Sequence, residues 1–254
     1  MIVFNEANKV KILNRDVIKY IAMFLMLLNH IATIFMESDH MMGQIISELF
    51  LDLGYFTAPV MCYFLVEGFY YTRSQKKYAI RLLTFALLSE LPYCLAFTQK
   101  GILQFQGFNM LFTLFLCFEI VRAVEKISDK SSKIVVVVEL VLLSLMSDWA
   151  ILAPVFTLLF LWSRNEKVKT RYAFLIAGLL FGMINFLGGI GRFALKTNII
   201  YSLGSMLGIG LAGLVITCFY NGKQMQKGKT FSKWFFYCFY PGHLLILGVI
   251  RIFS

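Results

Sequence analysis

The sequence predicts an all-α integral membrane protein that crosses the bilayer many times. Hydrophobic residues make up 59% of the 254 residues, against roughly 45–50% in soluble domains, and charged residues only 15%, against about 25%. The apolar stretches are continuous and lack the alternation of a transmembrane β-barrel. This composition excludes a soluble globular enzyme, a disordered chain and a disulfide-stapled domain.

Nine apolar segments follow one another along the chain, where a crossing needs about 20 residues. We predict spans at residues 16–36, 54–72, 78–98, 108–124, 134–146, 149–163, 172–190, 199–220 and 234–253. The fifth and sixth are short, so they form either a tight hairpin or a partly re-entrant pair. The first has no small-residue cleavage site behind it, which indicates a retained span and not a signal peptide. No linker divides the chain, so we expect one membrane domain over residues 1–254.

Basic residues give the orientation of these spans. All but four of the 24 lysines and arginines fall in the N-terminal segment or at alternate loops, and the exceptions are Lys100, Arg192, Lys196 and Arg251. Basic loops stay in the cytosol, so the pattern predicts a cytosolic N-terminus and an outside C-terminus. The net charge of +10 then reflects topology, with anionic membrane lipids as partners and no nucleic acid expected.

Ionisable side chains inside predicted spans are costly and are often functional. The chain has several, among them His30, Glu67, Glu90, Glu119, Glu139 and His243. Lys19 and His30 share one face of the first helix, about 16 Å apart along its axis. This arrangement suits a site that holds an anionic cytosolic ligand at one end and performs base chemistry at the other. The alternative is a snorkelling lysine and a histidine bonded to a neighbouring helix.

Prolines and one acidic loop predict a cavity and its cover. Pro59, Pro92, Pro154 and Pro241 all fall inside predicted spans, where each frees a backbone carbonyl one turn back. Broken helices at membrane depth commonly line a cavity, although ordinary kinking is the alternative. The loop at residues 37–52 carries apolar residues at helical spacing, so we predict an interfacial helix on the outer surface. It acts either as a lid over the cavity or without a gating role.

Five stretches resemble the TraX family of membrane proteins. They are residues 14–35, residues 58–97, NMLFTLF at 109–115, SDWAILAP at 147–154 and KWFFYCFYPGHLLIL at 233–247. The last resembles the family's closing Lys-x-x-Phe-Tyr-x-x-Tyr-Pro-x-His-Leu signature. The matches run in order across nearly all of the chain. Asn29, Tyr55, Tyr71 and Cys94 depart from it, standing where the family has aspartate, arginine, histidine and an acidic residue.

The resemblance implies acyl transfer in a bacterial plasma membrane. The founding member of the family acetylates the N-terminus of a conjugative pilin subunit, with acetyl-CoA as the implied donor. The family also resembles membrane acyltransferases whose first span carries an arginine, ten residues and a histidine. Lys19 and His30 reproduce that spacing, which places His30 in the catalytic position.

We therefore expect a transmembrane acyltransferase with His30 as general base. His243, Glu90 or Tyr240 would orient it or stabilise the oxyanion. The phosphates of acetyl-CoA are expected at five cations, Lys19, Arg73, Lys76, Lys77 and Arg81. The acceptor is expected at Glu67, Asn29, Asn109 and Asp148, and no metal is expected. A protein N-terminus, a glycan, a peptide and a lipid stay open as acceptors. An inactive TraX-like scaffold and a small transporter are the alternatives.

Overall fold

The computed structural model describes residues 11–36 and 41–253, which form ten α-helices and no β-strand. The all-α prediction is thereby confirmed. A 3₁₀ turn covers Ser144–Met146, and a π turn covers Val215–Phe219. The helices are α1 Arg15–Phe35, α2 Met41–Gly54, α3 Thr57–Tyr71, α4 Gln75–Phe97, α5 Met110–Lys126, α6 Lys130–Leu143, α7 Leu152–Trp162, α8 Lys167–Gly189, α9 Leu195–Leu214 and α10 Lys229–Phe253.

Six segments of the described chain are long and apolar enough to cross a membrane. They are Arg15–Phe35, Met42–Tyr71, Gln75–Phe97, Lys167–Gly189, Leu195–Phe219 and Lys229–Phe253. Helices α5, α6 and α7 have 17, 14 and 11 residues, which is less than the roughly 20 that a full crossing needs. The predicted count of nine spans is therefore not confirmed, and the orientation of the termini stays a prediction.

The basic loops meet at one end of the bundle. Leu13 donates its backbone N–H to the carbonyl of Phe219 at 3.1 Å, which ties the start of α1 to the end of α9. The guanidinium of Arg164 lies 3.2 Å from the ring centre of Tyr70, and the Tyr70 hydroxyl donates to Glu125 Oε1 at 2.7 Å. These contacts connect the ends of α3, α5 and α7, and the Tyr220 hydroxyl after α9 donates to Glu67 of α3 at 2.7 Å. The arrangement agrees with the charge pattern, and the side of the membrane that this end faces stays a prediction.

Another set of contacts closes the opposite end. Arg251, near the end of α10, donates to the carbonyl of Leu95 at 3.0 Å and to that of Ile102 at 3.1 Å. The backbone N–H of Asp148 donates to the carbonyl of Phe108 at 2.7 Å. These bonds fix the turn before α7 beside the start of α5.

Two of the four prolines do not interrupt a helix, which corrects the sequence-based prediction. Pro59 and Pro154 lie in the first turns of α3 and α7, which begin at Thr57 and Leu152. A first-turn amide has no intrahelical acceptor, so proline is tolerated there. Only Pro92 and Pro241 lie inside helices, in α4 and α10.

A glycine in α9 lets that helix approach the turn between α2 and α3. A Cβ on Gly208 would collide with the carbonyl oxygen of Asp52 and lie 2.7 Å from the backbone nitrogen of Phe56. Only a residue without a side chain permits this approach. The contact fixes Tyr55, which precedes Phe56, against the interior.

Candidate active site

Two cavities follow one another along α1. The first, of about 340 Å³, is called here the basic cavity and is lined by Arg15, Lys19, Arg81, Lys229 and Lys233. The second, of about 500 Å³, is called here the histidine cavity and is lined by His30, Tyr55, Asp148, Trp149 and Tyr240. Lys19 and His30, predicted to share a helix face, thus belong to different but successive cavities.

Four side chains separate the two cavities. Met26, Thr57, Met110 and Tyr240 line both, so the wall between the cavities is one side chain thick. We call these four residues the shared wall. Any group that passes from the cations to His30 must cross it.

The two histidines of the sequence-based site form a direct pair. His30 Nδ1 lies 2.9 Å from His243 Nε2, and the ring planes differ by only 9°. His243 Nδ1 lies 2.8 Å from the carbonyl oxygen of Phe239, one turn earlier in α10. Phe97 packs edge-on against His30 with ring centres 5.2 Å apart, which holds the imidazole in place.

This chain of contacts fixes which nitrogens carry protons. A carbonyl oxygen only accepts, so His243 Nδ1 must be protonated toward Phe239. In neutral imidazole the other nitrogen is then an acceptor, so His243 Nε2 accepts from a protonated His30 Nδ1. His30 Nε2 consequently keeps a free lone pair beside the histidine cavity. That is the protonation state that a general base requires.

Tyr240 supplies a hydrogen-bond donor at the shared wall. Its hydroxyl oxygen accepts the backbone N–H of Met110, the first residue of α5, at 3.2 Å. A phenol that accepts one hydrogen bond retains its own proton for donation. The ring centre of Tyr240 lies 5.7 Å from that of His243, so the donor and the histidine pair adjoin the same space.

The turn before α7 presents Asp148 to the histidine cavity. Thr113 Oγ1 donates to the backbone carbonyl of Asp148 at 2.6 Å, which holds the turn against α5. Trp149 and Ile151 have φ angles of 56° and 60°, a strained region for bulky and β-branched residues. Burial raises the pKa of the Asp148 carboxyl to about 6. A strained turn thus carries a shielded carboxyl group into the same cavity as His30.

Asn29 joins α1 to α2 beside His30. Its side-chain amide donates to the carbonyl of Leu51 at 3.0 Å, and both residues line the histidine cavity. The helix predicted for residues 37–52 is present as α2 from Met41, while residues 37–40 lie outside the described residues. Ile46 and Leu49 of α2 are exposed, whereas Leu51 and Gly54 at its end line the cavity. A lid role of α2 over this cavity stays a prediction.

Glu90 and Asn109 form a bonded pair that lies outside the lining of both cavities. The Asn109 side chain caps α5 and donates to Glu90 Oε2 at 2.7 Å and to the carbonyl of Ala86 at 2.7 Å. Its polar atoms are engaged in positioning α5. This geometry favours a structural role over the catalytic role that the sequence predicted for Glu90 and the substrate contact that it predicted for Asn109.

The cations of the basic cavity differ from the predicted set. Lys19 and Arg81 line it, whereas Arg73, Lys76 and Lys77 are exposed on its outside. Sequence reasoning missed three cations that complete it, Arg15, Lys229 and Lys233. Arg15 lies one turn before Lys19 on the same helix face, a signal that could have revealed it. The other two come from the start of α10, far away in sequence.

The loop before α10 is fastened to the start of α1. Asp16 accepts the backbone N–H of Met225 at 2.7 Å and the hydroxyl of Ser232 at 2.8 Å. With its amide oxygen turned toward Arg15, Gln224 accepts from both terminal guanidinium nitrogens at 2.9 and 3.2 Å. These bonds bring the cations of α10 to those of α1.

Glu67, predicted to contact substrate, lies near this end but outside the lining of both cavities. Its Oε1 accepts the Tyr220 hydroxyl at 2.7 Å. Its Oε2 and the Nε of Arg15 are buried without a hydrogen-bond partner among the described residues. Among all the residues that the structure describes, no group of three or more histidine, cysteine or acidic residues is placed to hold a metal ion.

Comparisons with known proteins agree on one family. Residues 14–251 match the family model described as "TraX protein". The chain is 31% identical over 247 residues to "Probable fimbrial assembly protein FimC, serogroup H1" of Dichelobacter nodosus, covering 93% of this chain and 95% of that protein. No solved structure matches.

Proposed function

The chain belongs to the TraX family, and from this premise we propose that it is a multi-pass membrane acyltransferase. It moves an acetyl group from acetyl-CoA to an amine or hydroxyl of an acceptor. The observation that carries the proposal is the hydrogen-bonded chain from Phe239 through His243 to His30. It leaves Nε2 of His30 as a basic nitrogen beside the histidine cavity. Only the shared wall separates that cavity from the cations of the basic cavity.

The reaction begins with proton removal by His30. Its Nε2 takes the proton of the acceptor as the acceptor's nitrogen or oxygen forms a bond to the thioester carbonyl. Tyr240 donates its hydroxyl proton as a hydrogen bond to the oxygen that becomes negative. The carbon–sulfur bond then breaks, and the thiolate of CoA takes the proton back from the His30 imidazolium.

His243 positions the base throughout this cycle. By accepting from His30 Nδ1 it keeps the lone pair on Nε2, and it stabilises the imidazolium formed when His30 takes a proton. The bond of His243 to the Phe239 carbonyl in turn holds its own tautomer. The same logic of an oriented imidazole governs serine hydrolases.

The donor binds in the basic cavity in this proposal. Lys19 and Arg81, with the additional Arg15, Lys229 and Lys233, match the phosphates of CoA, because basic side chains are the usual phosphate partners. The pantetheine arm extends along α1 toward the shared wall. A cytosolic basic end, as the charge pattern predicts, would give the cavity access to cytosolic acetyl-CoA.

The acceptor occupies the histidine cavity in this proposal. Asp148 and Asn29 line it and are suited to bind donor groups of the acceptor. The name of the Dichelobacter relative refers to fimbrial assembly, which favours a protein acceptor over a glycan or a lipid. Arrival from the side of the membrane opposite to CoA would make transfer a transmembrane reaction.

Incubating membranes with acetyl-CoA that carries labelled acetyl tests the proposal. We expect a labelled acceptor with the wild-type chain and none with His30→Gln, which keeps a side-chain donor for His243. Lys77→Ala, which alters an exposed residue outside both cavities, serves as the control and labels normally. If the wild type labels nothing and does not bind CoA, the acyltransferase proposal is overturned in favour of an inactive scaffold or a transporter.

One observation favours a transporter as the second candidate. The two cavities abut a wall only one side chain thick, and a single thin barrier is also what alternating access needs. Substrate flux into vesicles without consumption of acetyl-CoA would support that function. Acetyl transfer that requires His30 would exclude it as the main activity.

A further inference from the structure

The shared wall has two kinds of side chain. Thr57 donates its hydroxyl to the carbonyl of Ala22 at 2.7 Å, and the Tyr240 hydroxyl is held by the backbone of Met110. Both are therefore fixed by the backbone of a neighbouring helix. Within the described residues the side chains of Met26 and Met110 have no such bond, and a methionine has three rotatable bonds and a polarisable sulfur. The methionines are the adjustable part of the wall.

The position of the wall relates it to the reacting thioester. The cations line the basic cavity and His30 lines the histidine cavity. A donor held by its phosphates on one side must bring its carbonyl to the wall before His30 can serve an acceptor. Tyr240 is part of that wall, so the carbonyl and the acyl tail lie among Met26, Met110 and Tyr240.

We propose that Met26 and Met110 set the length of the acyl chain that the protein transfers, and that they restrict it to an acetyl-sized group. The inference rests on the proposed acyl transfer and adds the determinant of donor specificity. A longer tail must displace these side chains, since Met110 at the start of α5 belongs to the buried core and Met26 of α1 packs against that core. A packed interior resists such insertion, whereas an acetyl methyl needs little space.

Replacing either methionine by alanine tests this assignment. Membranes containing the wild type, Met26→Ala or Met110→Ala are incubated with acetyl-, propionyl- or butyryl-CoA labelled in the acyl group. We expect the ratio of butyryl to acetyl transfer to rise about tenfold or more in either variant, the scale of discrimination that a methylene group provides. The gain of a new donor cannot result from misfolding.

Two matched controls distinguish an effect of the shared wall from an effect of the rest of either cavity lining. Met61 lines only the basic cavity and Leu51 only the histidine cavity. Met61→Ala and Leu51→Ala should leave the butyryl-to-acetyl ratio unchanged, even if total transfer falls. An alanine variant missing from the membrane fraction is replaced by the milder Met→Val change at the same position.

The outcomes distinguish the two proposals. If the wild type transfers acetyl and the wall variants keep its ratio, the inference is overturned and the acyltransferase stands. An equal rise in the Met61→Ala or Leu51→Ala control overturns it as well, because general loosening would then explain the result. Absence of transfer by the wild type from all three donors overturns both proposals together.

Discussion

His30 and His243 lie 213 positions apart in the sequence, and their facing ring nitrogens are 2.9 Å apart. The pair connects the first helix to the last and gives His30 one free nitrogen. Because His243 is itself bonded to a backbone carbonyl, the arrangement has a defined direction of hydrogen bonding.

Removing the partner of His30 should lower activity without unfolding the protein. We expect His243→Leu to reduce acetyl transfer by about a hundredfold, within the range ascribed to a positioned general base, because His30 is no longer held in one tautomer. His243→Gln can still accept from His30 Nδ1 through its amide oxygen and should restore part of the rate. Equal loss in both variants, with the fold intact, would show that the residue acts only through packing.

Replacing a cation inside the basic cavity should weaken CoA binding, whereas a cation on the same helix outside it should not matter. Arg81→Ala should lower the affinity for CoA by about tenfold or more, the scale of a charged hydrogen bond. Lys77→Ala, on an exposed face of α4, should change it by less than about twofold. Isothermal titration of the purified protein with CoA measures both. Similar losses of CoA affinity in the two variants would contradict the assignment of CoA binding to the basic cavity.

Asp148 should make stability depend on pH. Burial raises its pKa from 3.8 to about 6, so the folded protein holds more protons there than the unfolded chain between these values. Its contribution to stability is therefore greatest at low pH and falls as the pH rises through this window. Asp148→Asn should raise the melting temperature by about 2–4 °C at pH 7, and this gain should shrink toward pH 4.

The test of Asp148 has to exclude its titratable neighbours. Tyr93 and Tyr240 lie close enough to feel its charge, and phenols stay neutral over this pH range. His30 lines the same cavity, so the melting curves are compared in a His30→Gln background. A pH-independent difference between aspartate and asparagine would contradict the predicted titration.

Two glycines of α9 should respond in opposite ways to alanine. Gly208→Ala places a Cβ against the backbone of Asp52 and Phe56, so we expect a loss of about 1–3 kcal/mol by overpacking. Gly210→Ala meets no atom within 4 Å and should be neutral or stabilising by about 0.5–1 kcal/mol. Thermal unfolding in detergent compares them. Equal stability of the two variants would mean that α9 does not approach the α2–α3 turn as described.

The all-helical membrane fold could be predicted from the sequence, and so could the candidacy of His30 and His243, since hydropathy and ionisable residues in apolar runs are local signals, but His243 was one of three candidate partners for His30. His30 and His243 stood out because each interrupts an apolar run. The proton positions could not be predicted, because they depend on the carbonyl of Phe239 facing His243. The prediction that Pro59 and Pro154 interrupt helices was wrong for a similar reason. The effect of a proline depends on where its helix begins, and the start of a helix is poorly defined within a continuous apolar stretch.

The set of cations that line the basic cavity could not be predicted from the sequence either. Arg73, Lys76 and Lys77 are adjacent in sequence, but neighbouring residues of a helix point in different directions, and these three are exposed. Lys229 and Lys233 reach the basic cavity only because Asp16 holds the loop before α10 against α1. Such tertiary contacts have no local signature in a single sequence.

The rate of acetyl transfer by His30→Gln shows whether His30 is the general base. The glutamine amide can still donate to His243 Nε2 and preserve the helix contact, but its oxygen is too weak a base to remove the acceptor's proton. Rates are measured with labelled acetyl-CoA after the variant has been shown to fold and to bind CoA like the wild type. We predict a fall of about 10²–10⁴-fold. A rate within about twofold of the wild type would contradict the assignment of His30 as the general base.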